Sequence, residues 1–218
     1  MINNKSLIFC LVFLCLYLTG FTQNKWEGTV AYFGEMGLRP GAKVGLNYNY
    51  LQKVKSKYKT KKNGVHLQKG RQHQLLLMGS AGGYHHANYL TNLFLSVESG
   101  YRLSLWRQKE GKNRKVFFVE STVGAGYLRY FHYGTTFETT SDGFARKELG
   151  GGNSFMPTTS FGFGANIPNQ KSLPLYWFSK LAYFIEIPQT NFPIMHFAME
   201  LGVRVELNFS KNNSTSSK

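Results

Sequence analysis

Cysteine and aspartate are almost absent from the sequence, and so are long apolar stretches. Both cysteines, Cys10 and Cys15, lie in an apolar run near the N-terminus, so the remainder of the chain offers neither disulfides nor thiolate metal ligands. Asp142 is the single aspartate, which excludes catalytic sites built from several aspartates, such as those of omptin-like proteases. After residue 22 no stretch approaches about eighteen apolar residues, and this excludes membrane-spanning helices.

The first 22 residues have the pattern of a secretory signal peptide. Lys5 precedes an apolar run over residues 7–18, and two small residues, Gly20 and Thr22, follow it. We expect cleavage before Gln23, because the run is short for a transmembrane helix; an uncleaved anchor is the alternative. The predicted organisation is a signal peptide over residues 1–22, one domain over residues 23–209 and a polar tail over residues 210–218.

The composition is strongly basic and rich in aromatic residues and glycine. Lys and Arg number 26 against 11 acidic residues, the formal charge is +15, aromatic residues reach 16%, and there are 23 glycines. A basic chain often binds nucleic acid. An exported chain meets anionic lipids or glycans instead, so we expect no nucleic-acid partner.

The clearest periodicity lies in residues 197–209, where apolar and polar side chains alternate. Side chains of a β-strand point alternately to its two faces, so this segment has one apolar face. The strand would be roughly 40 Å long at about 3.3 Å per residue, and with a tilt of about 40° it covers an outer-membrane apolar band of about 25 Å. The segment therefore predicts a membrane-spanning strand. Its apolar face comprises Phe197, Met199, Leu201, Val203, Val205, Leu207 and Phe209.

The same alternation recurs in six earlier segments. These are Ala42–Tyr50, Leu75–Tyr84, Leu93–Leu105, Val116–Tyr127, Phe155–Ile167 and Leu175–Ile187. Bacterial single-chain barrels have an even number of strands, so parity predicts an eighth strand at Glu27–Glu35. The predicted fold is all-β: an eight-stranded antiparallel transmembrane β-barrel with both termini in the periplasm. We expect connections 86–92, 130–154 and 189–195 outside the cell, connections 52–70, 107–113 and 168–172 in the periplasm, and a tight turn at Ser141-Asp142-Gly143.

The polar face of these strands has the composition of a narrow lumen. Strands of a soluble sandwich alternate as well, but their polar face would be poor in glycine, whereas this face carries Gly100, Gly124 and Gly162 among others. Each Lys or Arg turned toward lipid would cost about 2–4 kcal/mol. We therefore predict an ion-pair network inside a plugged lumen, too crowded for a sizeable channel. Its members are Lys43, Glu98, Arg102, Glu120, Lys180, Glu186, Glu200, Arg204 and Glu206.

Several local motifs resemble those of small eight-stranded outer-membrane barrels, the class of the OmpA transmembrane domain and OmpW-like proteins, and in particular small barrel proteins of Bacteroidota. The motifs are Gly83-Tyr84-His85-His86, Glu98-Ser99-Gly100-Tyr101-Arg102, Gly124-Ala125-Gly126-Tyr127 and the terminal strand ending at Phe209. The resemblance implies an outer-membrane location and assembly by the barrel-assembly machinery. The chain departs from the class in the nine polar residues that follow Phe209, because such barrels commonly end on the aromatic residue.

Lysine alternates with other residues between positions 53 and 61, and Lys62-Asn63-Gly64 then has the chemistry of a hairpin turn. Like charges on one strand face repel, so the pattern suggests an anion-binding ribbon for lipid phosphates or a glycan. The alternative is a solvated hairpin extension whose lysines protect its edges from aggregation. The ribbon lysines are Lys53, Lys55, Lys57, Lys59 and Lys61.

The histidines give no metal-binding pattern, and we predict no metal, no cofactor and no catalytic residue. Adjacent His85 and His86 point to opposite faces of a strand, and no HExxH-like spacing is present. We expect His85, His86, His132 and His196 at the outer rim, as amphipathic rings of the membrane interface.

The predicted function is a structural or surface-binding outer-membrane barrel, a monomer in contact with outer-membrane lipid and lipopolysaccharide. One alternative is a lipid A acyl hydrolase or acyltransferase of the small-barrel type, in which His85 or His86 would activate Ser80 or Ser160. A second alternative is a soluble periplasmic lipocalin-like carrier, whose apolar face would turn inward around a small hydrophobic ligand.

Overall fold

A computed structural model describes ten ranges of the chain: residues 26–36, 39–60, 66–86, 90–109, 114–132, 136–140, 143–147, 150–167, 174–188 and 192–207. The predicted signal peptide (1–22), the tail (210–218), Lys61, the predicted turn at 62–64, Ser141 and Asp142 lie outside the described residues. Among the described residues, no helix qualifies as a membrane span.

The described residues form ten β-strands. They are β1 (Trp26–Glu35), β2 (Arg39–Thr60), β3 (His66–His86), β4 (Leu90–Lys109), β5 (Lys115–His132), β6 (Thr136–Thr140), β7 (Gly143–Lys147), β8 (Gly151–Asn166), β9 (Leu175–Pro188) and β10 (Ile194–Leu207). Eight of them close a barrel in the order β1-β10-β9-β8-β5-β4-β3-β2, and every pairing in it is antiparallel. The predicted eight-stranded antiparallel barrel is confirmed.

Strand β1 was predicted from the even strand number of bacterial barrels and not from an alternation of apolar and polar residues. It pairs with β10 on one side and with β2 on the other, so it closes the ring. Val30 and Tyr32 face outward, whereas Glu27 and Glu35 are buried in the lumen. Within the closed ring the strands therefore have no free sheet edge.

Two predicted connections, 52–70 and 107–113, are wrong, because the strands continue through much of them. β2 extends to Thr60, β3 begins at His66, and β4 extends to Lys109. β1 begins at Trp26, which lies opposite Tyr48, so the part of β2 beyond Tyr48 pairs only with β3. The pairs Lys53–His73, Lys55–Arg71 and Lys57–Lys69 belong to this extension of the sheet beyond the barrel. The predicted connection 130–154 is likewise occupied in part by strand, since β5 reaches His132, β8 begins at Gly151, and β6 and β7 form a separate hairpin.

A register shift divides β2 into two parts. Asn49 pairs with Leu76 and Leu51 pairs with Leu75, so Tyr50 is an extra residue on one strand, a β-bulge. Before the shift the even positions of β2 face outward, as Val44 and Leu46 do. After it the odd positions face outward, beginning with Leu51.

The two sides of the barrel wall differ sharply in chemistry. Leu95 and Leu181 on the outside are 62% and 69% exposed, whereas Glu120 and Arg204 on the inside are 2% and 1% exposed. Other exposed apolar side chains are Val30, Val44, Leu46, Leu77, Leu93, Val97, Val123, Phe155, Phe161, Phe163, Phe197, Leu201 and Val203. The barrel is therefore apolar outside and charged inside.

One end of the lumen is filled by an aromatic layer. Phe33 packs against Phe94 with ring centroids 5.0 Å apart, and Tyr84 and Phe184 complete the layer around it. Leu128 and Met156 belong to the same buried group. Rings of this size fill the interior of a narrow barrel.

Candidate functional site

The centre of the lumen is an ion-pair cluster around Glu120. Its carboxylate lies 2.7 Å from Arg102 Nε, 2.8 Å from Lys180 Nζ and 2.9 Å from Arg204 Nη2. These side chains come from β5, β4, β9 and β10, so the cluster ties together strands that are distant in sequence. A buried carboxylate with three cations requires a second negative group nearby, because unpaired buried charge is costly.

Glu27 of β1 supplies that second group. Arg102 Nη1 donates to its Oε1 at 2.8 Å, and Arg204 Nε lies 3.4 Å from its Oε2. The guanidinium groups of Arg102 and Arg204 also lie over the ring of Phe118, each 5.1 Å from its centroid. The two arginines are thus held by carboxylates at their edges and by an aromatic face.

A second group of ion pairs surrounds Lys43. Its ammonium lies 3.1 Å from Glu98 Oε1 and 2.8 Å from Glu200 Oε1. Thr122 Oγ1 donates to Glu98 Oε2 at 2.6 Å. We call the two groups together the lumen cluster. It comprises the carboxylates Glu27, Glu98, Glu120 and Glu200 and the cations Lys43, Arg102, Lys180 and Arg204, four of each sign.

Two residues predicted for this network lie apart from it. Glu206 accepts a hydrogen bond from Tyr176 Oη at 2.8 Å, near one mouth of the barrel. Glu186 accepts a hydrogen bond from Ser154 Oγ at 2.8 Å, and its Oε2 lies 3.3 Å from His196 Nε2. Glu27, which was not predicted for the network, takes part in the lumen cluster through Arg102 and Arg204.

The expectation that His196 lies at the rim as an interfacial ring is wrong. His196 is buried in the lumen, stacked on Phe184 with ring centroids 4.8 Å apart. Its Nδ1 lies 2.6 Å from Glu35 Oε1, and Arg39 Nη1 donates to Glu35 Oε2 at 2.7 Å. The strand alternation explains this position, because His196 shares the inward parity of Ala198 and Glu200.

The hydroxyl groups of the enzyme alternative and the imidazole of His85 lie on different sides of the wall. Ser80 Oγ lies 2.7 Å from Ser96 Oγ and Ser160 Oγ lies 2.6 Å from Thr122 Oγ1, all of them facing the lumen. His85 is exposed, and its Nδ1 lies 3.1 Å from Thr91 Oγ1. His86, on the opposite face of the strand, is half-buried. Nucleophilic catalysis requires the hydroxyl within hydrogen-bond reach of the base, and this arrangement separates Ser80 and Ser160 from His85.

The mouth of the lumen near Trp26 and Leu207 contains a cavity of about 220 Å³. Gln52, Gln74 and Arg102 line it, with Trp106 and Arg114 at its side. The Arg114 guanidinium lies over the Trp106 ring at 4.0 Å from the centroid, and this burial lowers the pKa of Arg114 from its ordinary value. The cavity is a small polar recess below the lumen cluster.

The predicted lysine ribbon lies on the extension of the sheet beyond this mouth. The lysines follow Leu51 at alternate positions, so they share its outward side. The facing positions on β3 are basic as well, because Lys57 lies opposite Lys69 and Lys55 opposite Arg71. We call these outward cations the basic face. They are Lys53, Lys55, Lys57, Lys59, Lys69 and Arg71.

Sequence reasoning missed Lys69 and Arg71 as members of this surface. Their signal was present in the alternation Lys69, Arg71, His73 and Leu75, which continues the outward parity of Leu77. The sequence interpretation had assigned Lys69 to the connection 52–70 and had begun the strand only at Leu75, so this alternation was left unused.

No protein-family model matches the chain, and no curated protein matches it. Among solved structures, the chain is similar to the outer membrane enzyme PagL, with 12% sequence identity and a TM-score of 0.38 over 84% of this chain and 99% of that chain. It is also similar to the N-terminal beta-barrel domain of Pseudomonas aeruginosa OprF, with 14% identity and a TM-score of 0.34 over 85% of this chain and 100% of that chain. At these similarities the function of this chain has to be argued from its own residues.

Proposed function

We propose that the chain is a bacterial outer-membrane β-barrel with a plugged polar lumen, in a structural or surface-binding role and without a catalytic step. One observation carries the proposal: the barrel wall is apolar on the outside and lined with buried ion pairs on the inside. A lipid bilayer is the surrounding in which that distribution is stable, because a closed barrel satisfies its backbone hydrogen bonds internally.

The outer surface supports a membrane location through its composition. Leucine, valine and phenylalanine cover the outward positions of the eight barrel strands, and contiguous exposed apolar surface of this extent is unusual for a soluble monomer. Aromatic pairs lie on the outer wall toward each end of the barrel. They are Tyr183 with Phe197 and Phe163 with Trp177. Aromatic girdles at the interfaces are characteristic of outer-membrane barrels.

The contents of the lumen favour a plugged barrel over a pore. The aromatic layer around Phe33 fills one end, and the lumen cluster spans the middle. Phe118 and Phe178 pack beside the arginines of the cluster. Eight strands leave an interior just wide enough for side chains to fill, and these side chains occupy it.

The same contents argue against a soluble lipocalin-like carrier. Such a carrier needs an apolar interior for its ligand, whereas the middle of this lumen holds four carboxylates and four cations. Leu103, Val203 and Leu207 do not converge on a central core, since they share the outward parity of their strands. A small hydrophobic ligand would find no apolar cavity at the level of the lumen cluster.

Eight strands bring both ends of the barrel sequence, Trp26 and Leu207, to the same mouth, where they face each other across β1 and β10. We assign this mouth and the adjoining extension to the periplasmic side, and the β6–β7 hairpin to the cell surface, in keeping with the usual topology of such barrels.

A charge placed on the outer wall tests the proposal. Val97 is 61% exposed and lies on β4 next to Glu98 of the lumen cluster, near mid-height of the barrel. We expect Val97→Arg to lower the free energy of unfolding by about 2–4 kcal/mol, measured by urea titration of the full chain folded in phosphatidylcholine vesicles and followed by heat-modifiable gel mobility. The matched control is Tyr58→Arg, because Tyr58 is 79% exposed on the extension, outside the lipid band.

The control variant should change the unfolding free energy by less than about 0.5 kcal/mol. A soluble barrel would tolerate arginine at both exposed positions equally. Folding of the mature chain without detergent or lipid, together with equal effects of the two substitutions, would overturn the proposal.

A further inference from the structure

We propose that the basic face and the leucines directly above it form a binding site for an anionic phospholipid at the rim of the barrel. This inference rests on the proposed membrane location and adds the lipid class and its site. It identifies the occupant as a diacyl lipid with a net negative phosphate head group, in the leaflet on the side of Trp26 and Leu207.

The first observation is an accumulation of charge that the protein does not neutralise. Residues 51–73 contain eight Lys and Arg and no Asp or Glu. Lys57 lies opposite Lys69, and Lys69 in turn lies opposite Arg107 on β4. Like charges directly opposite each other destabilise a sheet. Within the described part of the chain, Lys55, Lys57, Lys69 and Arg71 form no ion pair. An external anion would relieve this repulsion.

The second observation is that edge protection does not account for the charges. Lysines on an exposed edge strand deter aggregation, and the far part of β2 is such an edge. Strand β3, however, is paired on both sides, with β2 and with β4, along the whole of residues 67–75. Lys69 and Arg71 lie on β3, which has no exposed edge at these positions. Their presence requires a different explanation.

The third observation is the position of the basic face relative to the apolar wall. On β2, Lys53 is the next outward residue after Leu51. On β3, which runs in the opposite direction, His73 and Arg71 are the two outward residues that precede Leu75 in the sequence. Successive outward residues are about 7 Å apart along a strand. The cations therefore begin about one head-group depth from the last leucines, where long basic side chains reach lipid phosphates while their stems cover apolar surface.

Two open clefts on this surface match the two parts of a phospholipid. One, of about 390 Å³, is lined by Leu51, Leu75 and Tyr101 together with Lys53, Lys55 and His73. The other, of about 950 Å³, is lined by five cations of the basic face together with Leu105, Trp106, Tyr58, Ser56 and Gly70. Lys55 belongs to both. The first suits the glycerol and upper acyl chain, and the second suits the phosphate head group.

The upper cleft has a fixed polar contact at its wall. His73 Nδ1 lies 2.5 Å from Tyr101 Oη, which joins β3 to β4 at the level where the apolar wall gives way to charge. Tyrosine at this level is typical of a membrane interface. The contact lies at the border between the apolar and the basic half of the site.

The test uses the full chain reconstituted in phosphatidylcholine vesicles that contain spin-labelled phosphatidylglycerol or spin-labelled phosphatidylcholine. The motionally restricted fraction of each label, measured by electron paramagnetic resonance, gives their relative association constant. A cation near an anionic head group favours binding by about fivefold, so we expect at least a fivefold preference for phosphatidylglycerol at low ionic strength. The preference should fall strongly in 0.5 M NaCl, because the site is exposed.

Matched variants locate the effect. The quadruple variant Lys55→Gln/Lys57→Gln/Lys69→Gln/Arg71→Gln should bind the two labels within about twofold of each other. Arg71→Gln alone should lower the preference measurably, whereas Arg129→Gln should leave it unchanged. Arg129 is an outward, exposed arginine like Arg71, but it lies near the opposite end of the barrel, where β5 runs toward the β6–β7 hairpin.

The outcomes separate this inference from the proposed function. If neither label is restricted, the barrel does not sit in the bilayer and the proposed function fails. If both labels are restricted equally by the wild-type chain, the barrel is in the membrane and only the lipid site is refuted. Binding of inorganic polyphosphate by the basic face, without a preference for phosphatidylglycerol, would also refute it and indicate a soluble polyanion as the ligand.

Discussion

The lumen cluster and the basic face hold four and six cations respectively and surround them in opposite ways. In the lumen cluster each cation lies within 3.4 Å of a carboxylate, and the two signs are equal in number. On the basic face like charges lie opposite each other, as Lys57 and Lys69 do, in a stretch without an acidic residue. The first arrangement is complete within the protein. The second becomes complete only with an external anion.

This difference distinguishes charged residues that stabilise a barrel from charged residues that are available to bind a ligand. A charge that is buried and paired within the chain contributes to stability, and its removal leaves its partners unpaired. A charge that is exposed and repelled by its neighbours contributes little to stability, and its removal relieves repulsion. The two classes should therefore respond to neutralisation with opposite signs.

The largest expected effect is at the centre of the lumen cluster. Glu120→Ala leaves Arg102, Lys180 and Arg204 with one buried carboxylate less, so we expect the free energy of unfolding to fall by about 3–5 kcal/mol. Urea unfolding in lipid vesicles measures it. The control is Lys59→Gln on the basic face, which should change the value by less than about 0.5 kcal/mol. Equal values for the two variants would remove the distinction between the two regions.

A smaller effect is expected from glycines on the two sides of the wall. A Cβ on lumen-facing Gly124 would lie 2.2 Å from the carbonyl oxygen of Val97 and 2.6 Å from the Cα atom of Glu98, both in the backbone. Gly124→Ala should therefore cost about 1–3 kcal/mol in the same unfolding assay.

Gly79 is the matched control, because it lies on the outward side of β3 and a Cβ there would meet nothing within 4 Å. Gly79→Ala should be neutral or slightly stabilising, since alanine restricts the unfolded chain more than glycine does. If both alanine variants are equally stable, the lumen is less tightly packed than the structure indicates.

The smallest effect, and the one with the opposite sign, is expected on the basic face. Lys57→Gln removes one of two like charges that lie opposite each other, so stability should rise by a few tenths of a kcal/mol at low ionic strength. The gain should disappear in 0.5 M NaCl, because exposed charges are screened. A loss of stability on this substitution would mean that Lys57 has a stabilising partner in the chain.

The barrel itself could be predicted because its outer wall repeats every two residues. Residues 197–209 show apolar side chains at alternate positions without interruption, and Leu93–Leu105 does so except at Ser99. Strand β1 lacks that regularity, and only the even-strand rule indicated it. Parity also assigned Glu120, Arg102 and Arg204 to the inside, since alternation fixes the face of a side chain.

The partners inside the lumen could not be predicted from alternation. Strand tilt and stagger decide which residues share a level, and these follow from closure of the ring. Glu27 of β1 meets Arg102 of β4, 75 positions away. His196 was misplaced for a related reason: its residue type suggested an interface, whereas its position between Ile194 and Ala198 assigns it to the lumen side beside Glu35.

The extension was misjudged because its strands have no apolar face to mark them. Lysine alternating with serine or tyrosine is compatible with either a loop or a strand, and the pairing of β2 with β3 decides between them. Connections in such barrels are usually short on the periplasmic side, and that rule gave no warning that the hairpin continues beyond the wall.

The extra residue at Tyr50 determines which side of the sheet carries the lysines. Continuing the phase of Lys43 and Asn47 without interruption would direct every odd-numbered lysine of β2 toward the axis, above the mouth of the barrel. The inserted residue reverses that phase and turns the same side chains to the outer side of the sheet. A single unpaired residue therefore decides whether these lysines would line the mouth of the barrel or surround it on the outside.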